Sequence, residues 1–276
     1  MLVRVDSVAA LVSTFQTSAL HDSSGVAEEE LRARAQQDGY LFVRALLDQE
    51  RVLALRRRVL EVCRRFGWLV DGSDGAARDG VRLGAYDEDW VALQRELAPS
   101  PEFAALGGDQ SVLGTLGSIF GEPARGGVGA VCRVMSPAAR DLATAPHQDH
   151  HFITRTDAFW TVWIPLGDCP QRQGGLAVLP GSHREGLRAH GADDSVEVEA
   201  GAVWATADYA CGDALFFHCL TLHRACPNVT PDRLRVSADY RYEPAACGVG
   251  GSEPKSAATR TAVPLTSPRT TGPTGT

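Results

Sequence analysis

The sequence predicts a mainly β fold with flanking helices, built as an antiparallel β-sandwich or barrel. In its second half, short apolar or alternating runs are separated by Gly and Pro turns, a pattern typical of antiparallel strands. In its first half, apolar residues recur at helical spacing. The 276 residues include 44% apolar and 22% charged side chains, which is enough to bury one large core.

Changes in periodicity and composition along the sequence divide the chain into one domain and two end segments. Residues 1–27 show weak periodicity and are interpreted as an N-terminal extension. Residues 28–245 carry the helical and strand patterns and form the predicted domain. Residues 246–276 consist largely of Gly, Ser, Thr and Pro with few large apolar side chains, so we expect a disordered tail.

Two helices and a strand are predicted near the start of the domain. Residues 28–37 are strong helix formers with acids in the first turn, and Gly39 suits the left-handed end of that helix. Residues 40–43 follow as a strand. Asp48 is placed to cap the next helix, which ends at Gly67.

The remaining elements follow in chain order. Residues 71–84 are rich in Gly, Asp and Ala and predict a surface loop, whereas residues 102–120 predict a helix. The strands are then predicted at 128–135, 159–166, 176–179, 214–217 and 234–242.

Charge and cysteine content exclude several classes of protein. The net charge of −7 and the pI of 5.6 disfavour nucleic-acid and anionic-membrane binding, which need clustered Lys and Arg. We expect no membrane segment and no signal peptide, because neither hydrophobic pattern occurs. Seven cysteines without a CxxC pair predict reduced thiols in the cytoplasm. We expect a monomer or homodimer.

A candidate metal site begins at His147-Gln148-Asp149. On an extended chain, residues two apart point to the same face, so His147 and Asp149 can reach one ion while Gln148 points away. His223, far downstream, is the candidate third ligand. Two His and one carboxylate form the facial triad of non-haem iron(II) oxygenases and leave positions open for chemistry.

Other histidines compete for roles near this site. His218 is an alternative distal ligand, although a packing role suits it better. His150 and His151 follow the HxD directly. If the alternation continues past Asp149, His151 points toward the metal and is a candidate substrate contact, whereas His150 points away and suits a structural role.

Arg233 follows His223 at the start of a predicted strand. A guanidinium group binds a carboxylate through two parallel hydrogen bonds and stays charged, which Lys cannot match. This residue is therefore the candidate anchor for a dicarboxylate co-substrate.

These segments together resemble the phytanoyl-CoA dioxygenase (PhyH-like) family, from about Asp38 to Tyr242. The matching stretches are DGYLFV, PHQDHHF, GGLAVLPGSH and GDALFFHCLTLHRACPN followed by Arg233. The resemblance implies a double-stranded β-helix (jelly roll, cupin-like) with Fe(II) on His147, Asp149 and His223. It also implies that Arg233 binds 2-oxoglutarate and that Trp163 lines the co-substrate site.

The chain departs from the family pattern at two points. Ala225 stands where a small hydroxyl residue is frequent, which removes one expected hydrogen bond to the co-substrate. The anchoring arginine is usually one residue further from the distal histidine than Arg233. Arg235 shares its strand face and therefore remains the alternative anchor.

The family reaction consumes 2-oxoglutarate and O2 and oxidises an unactivated C–H bond. The product class expected here is hydroxylation, or a related desaturation, cyclisation or epoxidation, of a small molecule. Composition rich in Ala, Arg and Gly suggests a bacterial tailoring step in natural-product biosynthesis. Trp160 joins His151 as a candidate substrate contact, and loops 68–90 and 184–212 are expected to shape the pocket.

Two other functions fit part of the same pattern. One is a jelly-roll protein that binds a metal without turnover. The other is a cupin-type enzyme that does not use 2-oxoglutarate. An arginine anchor for a dicarboxylate is the feature that neither alternative needs.

Overall fold

The computed structural model describes residues 16–83, 88–126, 129–153 and 156–247. Residues 1–15 of the predicted extension and residues 248–276 of the predicted tail lie outside them, as does position 128 of the first predicted strand. The described part of the chain forms two facing β-sheets, with helices packed on the outer face of the larger sheet. The predicted mainly β architecture, a jelly roll, is confirmed.

The helices precede most of the strands. They are α1 (Glu28–Asp38), α2 (Gln49–Arg65), α3 (Glu88–Leu97), α4 (Pro101–Gly107) and α5 (Gln110–Phe120). Gly39 ends α1 with φ of 72°, and a Cβ there would lie 2.2 Å from Nδ1 of His183, so only glycine fits. Asp48 caps α2 by accepting the N–H of Arg51 at 3.0 Å.

One predicted helix is observed as two separate helices, and the structure contains a further helix that the sequence did not predict. The expected helix at 102–120 is divided between α4 and α5, because Asp109 accepts the N–H of Ser111 at 2.9 Å and starts a new helix. The structure also contains α3, whose apolar residues were not recognised as a helical pattern.

The strands are β1 (Gln16–Ala19), β2 (Tyr40–Val43), β3 (Ala124–Gly126), β4 (Val131–Met135), β5 (Trp160–Pro165), β6 (Leu176–Val178), β7 (Val203–Thr206), β8 (Ala214–His218), β9 (His223–Ala225) and β10 (Arg235–Pro244). The smaller sheet has the order β1-β7-β6-β9, and the larger has the order β2-β8-β5-β10-β3, with β4 also paired to β10. Pairing is antiparallel except between β1 and β7. Thus β1, within the predicted extension, belongs to the smaller sheet.

Strand β10 has one apolar and one polar face. Its apolar face packs with the helices and consists of Val236, Ala238, Tyr240 and Tyr242. Its other face points between the sheets and consists of Arg235, Ser237, Asp239, Arg241 and Glu243, all buried. Charges are rarely buried without partners, and three of these four charged residues, Asp239, Arg241 and Glu243, form ion pairs. This half of the interior is therefore polar.

The other half of the interior is apolar. Tyr40 and Phe42 of β2 and Leu215 and Phe217 of β8 pack against residues of the smaller sheet, with Trp163 of β5 completing the cluster. The core therefore holds the two sheets together at one side and leaves a polar region at the other.

Candidate metal centre

Three predicted ligands meet in the polar half of the interior. One ligand atom of each of His147, Asp149 and His223 lies within 4.8 Å of the others, and all three residues are buried. His147 pairs with His223 through an isolated antiparallel bridge. Gln148 is extended, with φ of −121° and ψ of 130°, so His147 and Asp149 point to the same side as predicted.

Backbone carbonyls orient both imidazole rings. Nδ1 of His147 lies 2.8 Å from the carbonyl oxygen of Ala145, and Nδ1 of His223 lies 3.0 Å from that of Thr221. A carbonyl only accepts hydrogen bonds, so each Nδ1 carries a proton, and in the neutral ring the lone pair is then on Nε2. Those Nε2 atoms lie 3.8 and 3.5 Å from Oδ1 of Asp149.

The protonation states suit a metal ion. Burial, together with the nearby His223 ring, lowers the pKa of His147 to about 3, so this imidazole is neutral at pH 7. Burial raises the pKa of Asp149, but the Arg241 charge and the two histidines outweigh it and hold that pKa well below its usual range. Two imidazoles and one carboxylate match the donor set of non-haem iron(II).

The structure does not bring Arg233 to this site. Arg233 is exposed, and its Nη1 donates to the backbone carbonyl of Asp74 at 2.7 Å. It precedes β10 and lies beside the loop containing Ala76, with which it forms a bridge. The prediction that Arg233 anchors the co-substrate is therefore corrected.

Arg235, the alternative anchor, lies between the sheets and is 2% exposed. Its guanidinium donates to the carbonyl of Gly174 at 3.1 Å and to Oγ of Ser237 at 2.8 Å, and contacts Sδ of Met135 at 3.9 Å. Among the described residues, no carboxylate lies within ion-pair distance of it. Burial lowers the pKa of Arg235, and the attraction of Asp239 only partly opposes it.

Two polar atoms near Arg235 are buried without a hydrogen-bond partner in the described part of the chain: Nε1 of Trp163 and Oδ1 of Asp239. Trp163 faces Asp239 across the β5–β10 pair. A buried indole N–H usually has an acceptor, so Nε1 of Trp163 is a candidate donor to a ligand. That Trp163 lines the co-substrate site stays a prediction.

Trp160 was predicted to contact substrate, and this is corrected. Side chains alternate along β5, and Trp160 lies on the opposite face from Trp163, within the core that the helices cover. His218 pairs with Trp160 across the sheet, and the two rings contact edge to face at 5.7 Å. His218 is thus directed away from the metal centre, as its predicted packing role requires.

The chain turns immediately at Asp149, so the alternation ends there. His150 contacts Asp157, with 2.6 Å between Nε2 and Oδ1. His151 stacks on His190 with 3.9 Å between ring centroids, and its Nε2 lies 3.1 Å from Oδ1 of Asp194. Phe152 packs edge-on against both His147 and His151, which places His151 beside the metal centre.

Thr161 and Arg241 also belong to the site, although neither was predicted. Both contact Oδ2 of Asp149, at 2.5 and 3.2 Å. The signal available in the sequence was the alternation of charged and apolar residues through β10, where both faces are buried.

Gln148 was correctly expected to point away from the metal, but its contacts were not foreseen. It is fully buried and bonds to the long connection between β6 and β7. Its Nε2 donates to the carbonyl of Gly186 at 2.9 Å, and its Oε1 accepts the N–H of Arg188 at 2.8 Å. This connection is therefore fastened to the turn that carries two of the ligands.

Comparison with known proteins agrees with this geometry. The family model described as phytanoyl-CoA dioxygenase (PhyH) matches residues 35–236. A 1-deoxypentalenic acid 11-beta-hydroxylase of Streptomyces arenae is 29% identical over 231 residues, covering 76% of this chain and 79% of the relative. The enzyme of the same name from Streptomyces exfoliatus is 27% identical over 230 residues, with the same two coverages of 76% and 79%.

Among solved structures, the epimerase SnoN in complex with Fe3+, alpha ketoglutarate and nogalamycin RO is similar in fold. Its TM-score is 0.59 at 23% identity, and the match covers 88% of this chain and 96% of SnoN. The family match spans most of the chain, and the chain belongs to the phytanoyl-CoA dioxygenase (PhyH) family of non-haem iron(II) and 2-oxoglutarate-dependent oxygenases.

Proposed function

We propose that this enzyme oxidises an unactivated C–H bond of a natural product, with iron(II) on His147, Asp149 and His223 and 2-oxoglutarate on Arg235. The observation that carries the proposal is a buried triad and, on the inner face of β10, a buried arginine whose hydrogen-bond partners in the described residues are all neutral. Iron(II) held by these three residues would supply the oxidising chemistry, in which O2 oxidises both the C–H bond and 2-oxoglutarate, the latter to succinate and CO2.

Arg235 fits the far carboxylate of 2-oxoglutarate for an electrostatic reason. A guanidinium group stays charged at neutral pH, and burying it without a counter-ion costs several kcal/mol or more. A dicarboxylate would supply the missing negative charge. Its neutral partners Gly174 and Ser237 fix the orientation of the group in advance, so little conformational freedom is lost on binding.

Trp163 and Ser237 complete this co-substrate site in the proposal. The unpartnered Nε1–H of Trp163 can donate to a ligand oxygen, which would remove the cost of its burial. Ser237 accepts from Arg235 through its oxygen, which leaves its own hydroxyl proton to donate. These donors match a carboxylate, which only accepts hydrogen bonds.

The substrate is proposed to be a small hydrocarbon-rich molecule. The relatives named above hydroxylate 1-deoxypentalenic acid, and the SnoN structure contains nogalamycin RO. His151, stacked on His190 beside Phe152, is the side chain we propose to contact substrate near the triad. Hydroxylation is the preferred outcome, since the curated relatives are hydroxylases.

A pair of variants tests the anchor. Arg235→Leu and Arg233→Leu remove the same charge two positions apart, one from the interior and one from the surface. Calorimetric titration of the anaerobic iron(II) protein with 2-oxoglutarate should show Kd raised about 30-fold or more in Arg235→Leu. Arg233→Leu should stay within about twofold of the wild type. The reverse order of effects would contradict the assignment.

Succinate formation separates the proposal from the two other functions. The wild-type enzyme with iron(II), O2 and 2-oxoglutarate should release succinate slowly even without substrate, and Arg235→Leu should not. A metal-binding protein without turnover, or a cupin that does not use 2-oxoglutarate, would release none.

A further inference from the structure

The two carboxylate oxygens of Asp149 have different surroundings. Oδ1 faces the Nε2 atoms of His147 and His223, at 3.8 and 3.5 Å. Oδ2 faces the opposite way and accepts the hydroxyl proton of Thr161 at 2.5 Å and Nε–H of Arg241 at 3.2 Å. One oxygen is thus directed to the ligand cluster and the other is held by two donors.

The two donors are themselves fixed. Thr161 and Arg241 pair directly across β5 and β10, and both are buried. Nη1 of Arg241 donates to the carbonyl of Gly129, and Nη2 lies 3.8 Å from Oδ2 of Asp239. Asp239 in turn accepts Nε–H of Arg133 at 2.6 Å. Rigid donors define a single orientation for the carboxylate that they bind.

Asp239 also explains how a buried arginine can lie so close to a cation site. An uncompensated Arg241 would repel a divalent ion only one carboxylate away. In the structure the charges alternate along the chain of contacts Asp149, Arg241, Asp239 and Arg133, so the two cations are matched by two anions. Arg241 can therefore orient Asp149 without a large excess of positive charge.

We propose that Thr161 and Arg241 are positioning residues that restrict Asp149 to binding iron through Oδ1 alone. A carboxylate can bind a metal through one oxygen or both. If Oδ2 also bound, Asp149 would occupy one of the three positions that a facial triad leaves for 2-oxoglutarate and O2. The inference rests on the function proposed above, because it requires the triad to hold a metal.

A purely structural role makes a different prediction. If Thr161 and Arg241 only satisfied a buried carboxylate, their removal would destabilise the metal-free fold and leave metal affinity and coordination unchanged. A positioning role changes both properties of the metal site. Metal titration of folded protein therefore distinguishes the two roles.

The experiment titrates Co(II) into the metal-free protein and records affinity and the visible d–d spectrum. The variants are Thr161→Val, Thr161→Ser and Arg241→Met, with Arg125→Gln as the control. Arg125 also pairs with a residue of β10, Glu243, but its described contacts do not include Asp149. The wild type and His223→Ala establish whether the triad binds metal.

Thr161→Val and Arg241→Met should weaken Co(II) binding about 10- to 100-fold, the usual effect of removing a partner of a ligand. Their d–d bands should lose intensity as the coordination number rises, while Thr161→Ser and Arg125→Gln should match the wild type. If Thr161→Val and Arg241→Met both retain the Co(II) affinity and the d–d spectrum of the wild type, the inference is overturned.

The controls separate this outcome from failure of the proposed function. If the wild type binds no Co(II), or His223→Ala binds equally well, the metal site itself is wrong and the inference is overturned with it. If Arg241→Met does not fold, the comparison of Thr161→Val with Thr161→Ser decides, because these variants differ in the hydroxyl that donates to Oδ2.

Discussion

The backbones of His147 and His223 exchange two hydrogen bonds, at 3.0 and 3.1 Å, although the residues are far apart in the sequence. This antiparallel bridge places their imidazole rings side by side, with 4.1 Å between the centroids. The main chain therefore holds the two imidazole rings together, which would lower the conformational cost of binding an ion.

Metal binding should stabilise the fold measurably. A ligand that binds only the folded state adds about 2.7 kcal/mol at a concentration 100 times its Kd. Unfolding followed by circular dichroism should thus show a higher Tm with Co(II) than after chelation by EDTA. His223→Ala should show no such difference. Equal Tm values for the wild type with and without metal would contradict metal binding by the folded protein.

Gln148 should stabilise the connection between β6 and β7 against local opening. Gln148→Ala removes the bonds to Gly186 and Arg188. These partly buried hydrogen bonds contribute about 0.5–1.5 kcal/mol each, so local opening should become about tenfold more frequent. Hydrogen–deuterium exchange of residues 186–190 measures this directly.

Gln94→Ala is the matched control for that experiment. Gln94 on α3 also makes two bonds to backbone, both to Cys132, at 2.7 and 2.9 Å. Its removal should accelerate exchange near β4 and leave residues 186–190 unchanged. Equal exchange of residues 186–190 in Gln148→Ala and wild type would show that the connection is held by other contacts.

His218 should make the metal-free protein less stable in acid. Burial, with the neighbouring His183, lowers the pKa of His218 from 6.5 to about 4. Between these values the unfolded chain binds the proton and the folded protein does not, so the free energy of unfolding falls as pH falls from 6.5 to 4. One such group contributes a slope of up to about 1.4 kcal/mol per pH unit.

The measurement is urea unfolding of metal-free protein at several pH values. His218→Asn should show a shallower decrease between pH 6.5 and 4 than the wild type. Some decrease should remain, because the pKa of His147 is also lowered, to about 3. Identical slopes in His218→Asn and the wild type would mean that folding does not lower the pKa of His218.

Local patterns made most of the fold predictable. Gly39 and Asp48 marked helix ends because their conformations and capping bonds depend on nearby residues. The strands β7 and β9 were not predicted, because they are defined by pairing with distant segments: β7 with β1 and β6, and β9 with β6. The helix break at Asp109 was missed because the apolar spacing continues across it.

The parts of the site that depend on the spacing of residues along the sequence were predictable. The parts that depend on which residues of a strand enter the interior were not. The relation of His147 to Asp149 follows from two residues of extended chain. The choice between Arg233 and Arg235 depends on where β10 enters the sheet, since the first lies outside the interior and the second within it. The contacts of Arg241 with Asp149 are formed across distant segments, which spacing alone does not reveal.

The visible spectrum of the anaerobic protein with iron(II) and 2-oxoglutarate tests the central claim most directly. Chelation of the iron by 2-oxoglutarate should give a weak charge-transfer band in the wild type, and His223→Ala should lose it. Absence of the band in folded wild-type protein, or an unchanged band in His223→Ala, would contradict the assignment of His147, Asp149 and His223 as the iron site.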